Sequence, residues 1–78
     1  MEAVFIQNIP LGAVETLRMV LPSAPGYISM EEVRRDKDTN EEIVFFCKFQ
    51  DTSLLELTDY LDAVFPGVPF EINEAIKL

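Results

Sequence analysis

Cys47 carries the one thiol of the chain, and nothing in the sequence is placed to activate it. It stands in the alternating run "IVFFCKFQ", on the face that also carries Ile43, Phe45 and Phe49, which predicts a buried small hydrophobe. The 78 residues include no histidine, so the usual general base and the commonest zinc ligand are both missing. A buried thiol without a base stays protonated and inert. Glu31 and Glu32 are neighbours, and neighbours on a strand point to opposite faces rather than converge on one reacting atom. Asp36, Asp38 and Asn40 imitate the first ligands of a calcium loop. Glu41 then replaces the required glycine, and Cys47 stands at the twelfth position, where a bidentate glutamate belongs. A solvated turn is the expectation there. With no Gly-rich phosphate loop either, the residues point away from an enzyme, a cofactor or a metal site.

The remaining chemistry is recognition. In "VFIQNIP", Val4 and Ile6 share one strand face while Phe5 and Gln7 share the other. In the later run, Val44, Phe46 and Lys48 lie opposite the apolar face of Ile43, Phe45, Cys47 and Phe49. Two rings on an open sheet face make an exposed apolar patch that needs an occupant, and a terminal segment, a partner chain or another copy of the domain would each cover it. Arg34, Arg35 and Lys37 concentrate positive charge; they either touch phosphate or neutralise Asp36, Asp38, Glu41 and Glu42.

Six elements are expected to position these groups. A first strand covers 3–9. A helix then follows Pro10 with Leu11, Val14, Leu17 and Leu21 as its stripe, ending at Pro22 and "APG". Gly12 weakens its first turn by about 1 kcal/mol relative to alanine. A second strand over 27–35 has Ile28, Met30 and Val33 as inward candidates, a broken alternation that predicts a bulge or a charged edge. "RRDKDTNEE" reads as an exposed hairpin loop. The third strand follows it. Ser53 and Glu56 then have capping-box spacing before a helix with Leu54, Leu57, Leu61 and Val64 as its stripe, stopped by Pro66 and Gly67. A last strand lies in "VPFEINEAI", with Phe70 and Ile72 on one face and Glu71 and Asn73 on the other. The expected fold is α+β: a ferredoxin-like split βαββαβ sandwich, a four-stranded antiparallel sheet with two helices on one face.

"VFIQNI" followed by Pro10, the charged turn "RDKDTN" and the octamer-like "EIVFFCKF" from Glu42 to Phe49 resemble the RNA recognition motif. The resemblance covers nearly the whole chain in order and spacing, with both helical regions shorter than usual. It implies an RNA-binding module in which Phe5 and Phe46 stand at two base-stacking positions and Val44 at a third that is normally aromatic. Glu42 stands where the family has Lys or Arg, and Ile43 and Phe45 replace its small residues. Gln7, Lys48 and Asn73 would be polar contacts beside the rings. Some relatives hold a tryptophan peptide with an Arg-x-Phe motif before the last strand; "FPGVPF" contains no arginine.

Length and charge set the outer bounds. A chain of 78 residues, 49% of them hydrophobic, is read as a single domain, 1–78, able to bury its own core. The net charge of −8 opposes a phosphate backbone at long range. That charge keeps two rivals open: a protein-interaction module that docks a peptide or a second subunit, and an acidic inhibitor that imitates nucleic acid. A lone cysteine and an N-terminus without a secretion-like segment predict an intracellular location, and the longest apolar run, "IVFF", is too short to span a bilayer.

Overall fold

A computed structural model of the chain describes residues 2–37 and 40–75. The first strand, β1 (Ala3–Gln7), ends before the expected residue 9 because Asn8 takes a left-handed conformation with φ 57°. Asn tolerates that conformation better than most residues. The chain then forms a 3-10 turn over Leu11–Ala13, a short helix α1 (Val14–Val20) and a second 3-10 turn over Leu21–Ser23. Gly12 sits inside the first turn and Pro22 inside the second, so regular helix survives only between them. Two long strands follow, β2 (Tyr27–Lys37) and β3 (Asn40–Phe49), then α2 (Leu54–Val64) and a short β4 (Glu71–Glu74).

The expected ferredoxin-like βαββαβ fold class is therefore corrected. The first crossover is divided into three helical pieces, the described residues run through eight elements, and the sheet order is β2-β3-β1-β4. The fold is α+β, with a four-stranded sheet whose strand pairs are all antiparallel.

Three further expectations change. Most of the "RRDKDTNEE" segment is strand: β2 reaches Lys37 and β3 begins at Asn40. Arg35 stands opposite Glu42 on the neighbouring strand, and opposite charges across a ladder favour its extension. Ile28 and Val33 are exposed rather than inward, so of the three inward candidates on β2 only Met30 packs against the core. The register shifts between Tyr27 and Ser29, which makes Ile28 the extra residue of a bulge. Leu11 is 85% exposed, because the 3-10 geometry of the first turn rotates it off the stripe formed by Val14, Leu17 and Leu21.

The core lies between the helices and one sheet face. Val4 and Ile6 of β1, and Phe45, Cys47 and Phe49 of β3, meet Val14 and Leu17 of α1 and Leu57 and Leu61 of α2. Tyr60 on α2 donates a 2.6 Å hydrogen bond to the Val20 carbonyl at the end of α1, tying the two helices together. Ser53 caps α2 as its spacing predicts: its hydroxyl accepts from the Glu56 amide at 3.1 Å, and Glu56 reaches back to the Ser53 amide. Gly26 (φ 72°) lets β2 start against the end of β3. A Cβ there would overlap Thr52 Oγ1 and the Gln50 carbonyl, while the buried Thr52 hydroxyl donates to the Pro25 carbonyl at 2.7 Å.

Candidate recognition face

Strand alternation and register decide which side chains share the second sheet face. On β1 these are Phe5 and Gln7; on β3, Glu42, Val44, Phe46 and Lys48; on β2, Glu31, Val33 and Arg35; and on β4, Glu71 and Asn73. The helices pack on the other face, so no described element covers this one. Phe5 and Phe46 are directly opposite in the β1–β3 ladder, with ring centroids 4.9 Å apart and planes inclined at 47°. Both rings are half-buried. Each covers part of the other and presents the rest outward.

The other residues singled out from the sequence fall around this pair. Val44 belongs to the open face but is only 4% exposed. It helps line a small cavity of about 190 Å³ with Phe5, Gln7, Val33 and Arg35, so it offers packing rather than surface. The side-chain amide oxygen of Gln7, Oε1, accepts from Arg35 Nη2 at 3.0 Å, and the same nitrogen donates to Glu42 at 2.9 Å. Lys48 is exposed and forms no ion pair among the described residues. Asn73 is exposed, stands opposite Phe5 on β4 and donates weakly to Glu71 at 3.5 Å.

Arg35 reads from the sequence as a member of a mixed charge cluster that neutralises nearby carboxylates in preference to a phosphate contact. From the sequence it shares a face with Val33, an inward candidate, so its outward place was not legible there. It stands beside the rings and compensates Glu42, the carboxylate at the octamer's first position. Arg34 is on the other face and pairs with Glu41 at 3.6 Å. The side chains of Asp36, Lys37, Asp38 and Asn40, and with them the calcium-like spacing, lie outside the described residues. Among the described residues no cluster of three His, Cys, Asp or Glu could hold a metal ion.

Asn8, Ile9, Pro10, Leu11, Val14, Ile43 and Pro69 line an open cleft of about 560 Å³ at one end of the sheet, together with Glu41 and Glu42. Asn8 Nδ2 donates to the Pro69 carbonyl at 2.9 Å, which fixes the approach to β4. The Asn of "VFIQNI" thus has a structural task. Cys47 has no exposed surface, and burial pushes its thiol up to about 12. No helix among the described residues is long and apolar enough to cross a membrane.

Comparison with protein-family models, with curated proteins and with solved structures finds no match to this chain.

Proposed function

We propose that the open sheet face is a platform for single-stranded RNA, with one base on Phe5 and the next on Phe46. The observation that carries this reading is the direct register of the two rings on an uncovered face, at 4.9 Å. The likeness of "VFIQNI" to the first-strand signature of the RNA recognition motif supports it.

The overall charge is less adverse than its total suggests. Among the described side chains, the open face holds three carboxylates, Glu31, Glu42 and Glu71, against two cations, Arg35 and Lys48, and Glu42 is compensated by Arg35. Glu15, Asp51, Glu56, Asp59 and Asp62 are exposed on the helices and the loop before α2. The molecule is 18 Å thick along its short axis, about twice the screening length of roughly 8 Å at physiological salt. Charges of the helix layer are therefore largely screened from the platform. Stacking supplies the affinity, and Arg35 and Lys48 contribute the phosphate contacts.

The test is an anisotropy titration with a labelled degenerate single-stranded RNA pool, run beside the Phe5→Ala/Phe46→Ala double variant. The expected result is saturable binding that weakens at least tenfold in the folded variant, given roughly 1 to 3 kcal/mol per stacked base. Two phosphate contacts predict a shallow log–log salt slope of about −1.4, at roughly 0.7 per contact for a single strand. Absence of binding up to about 1 mM, or binding indifferent to the two rings, rejects the platform. The protein-docking reading is favoured by Glu31, which stands opposite Phe46 and repels phosphate. It predicts no RNA binding and capture of a basic or apolar peptide that depends on the same rings.

A further inference from the structure

We propose that the exposed edge of β2 pairs antiparallel with the β2 of a second copy, about a two-fold axis at Val33, joining two four-stranded sheets into one of eight strands. β2 is at the edge of the sheet, and residues 31–35 are all exposed. A long edge strand is a template for strand addition unless its side chains forbid it. The charges here forbid most registers and favour one.

The edge reads Glu31, Glu32, Val33, Arg34, Arg35. In a two-fold antiparallel pair centred on Val33, Glu31 meets Arg35 of the second copy and Glu32 meets Arg34. Both pairs are repeated by symmetry, and Val33 meets Val33. All four charged contacts are attractive, and the residue on the axis is apolar and 42% exposed. Centring on Glu32 or Arg34 instead sets like charges face to face on the axis. Intermediate slips are excluded, because a two-fold normal to the sheet keeps faces and directly opposite residues must share one.

Both halves of the motif are already held extended. Arg18 pairs with Glu32 at 2.7 Å, Arg34 with Glu41 at 3.6 Å and Arg35 with Glu42 at 2.9 Å. For Glu32, Arg34 and Arg35 a second copy therefore adds a partner to a side chain already held in an ion pair. The bulge at Ile28 lies outside the five-residue segment, so it limits the length of the pairing without interrupting it. The same symmetry places Phe5 and Phe46 of both copies on one side of the joined sheet, with the two Val33 side chains between them.

Sedimentation equilibrium of the full chain tests this. The expected result is a concentration-dependent rise from one to two protomer masses below about 1 mM. The Glu31→Arg/Glu32→Arg variant has an all-basic edge and the Arg34→Glu/Arg35→Glu variant an all-acidic one. Each alone is expected to remain monomeric, and an equimolar mixture to form a heterodimer. A wild-type chain that stays monomeric, or either variant dimerising alone, overturns the proposal. A single substitution gives an independent reading that does not depend on charge. Val33→Cys places two thiols within disulfide reach across the axis, whereas Glu31→Cys leaves its copy four residues away, about 13 Å along the strand. Oxidation is expected to cross-link the first and not the second; no cross-link at position 33, or equal cross-linking at both, overturns the two-fold register.

Discussion

The apolar surroundings of Cys47 give it a measurable pH signature. Burial raises its thiol from 9.0 to about 12, so between those values the unfolded chain releases a proton that the native chain keeps. Stability from this group is complete below about pH 9 and falls as pH rises, by about 1.4 kcal/mol per unit until the native thiol also ionises. Urea unfolding of the wild type against Cys47→Ala across that range is expected to show the extra slope only in the wild type. Alternation alone placed Cys47 inward and Phe5 and Phe46 outward, since strand side chains have a strict period of two. It did not show that Val44 would be covered. That depends on Arg35 and Gln7 bonding to each other across β3, a contact between residues distant in sequence.

At the level of elements, the two crossovers contrast. α2 starts from a reciprocal cap that its own four residues specify, so Ser53→Ala is expected to cost about 1 kcal/mol. Glu56→Gln should retain most of the cap. Chemical denaturation of the two variants checks the difference, and equal losses would mean that the Glu56 carboxylate contributes as much as the Ser53 hydroxyl. The first crossover is less legible. A stripe at helical spacing ran from Leu11 to Leu21, but only Val14–Val20 is α-helix, and Leu11 points to solvent. Periodicity reports which residues seek burial; Gly12 and Pro22 decide how much backbone can follow. The β2–β3 hairpin errs the other way. Its polar composition reads as a loop, yet both strands continue into it, with Arg35 opposite Glu42 and Arg34 paired with Glu41 across the ladder.

For the whole molecule, the charge of −8 is distributed unevenly over an 18 Å slab. Like charges crowd the helix layer at Glu56, Asp59 and Asp62, while opposite charges pair along β2 and β3. Self-repulsion in the folded state is relieved by screening. The thermal midpoint is therefore expected to rise as sodium chloride is added from low ionic strength. A fall would mean that the paired charges of the hairpin outweigh the repulsion of the helices. The balance matters for recognition, since it leaves the ring-bearing face closer to neutral than the chain as a whole.

The sequence by itself determined the faces of β1 and β3, the cap of α2, the bulged and charged character of β2 and the burial of the thiol. Each of these follows from local spacing and side-chain chemistry. Tertiary structure alone decided that Phe5 and Phe46 stand ring against ring, that Glu42 is the carboxylate Arg35 pairs with beside them, and that Val44 is covered. These are relations between strands. Their register and order are fixed by packing the inner face against both helices, and no single stretch of the chain contains that information.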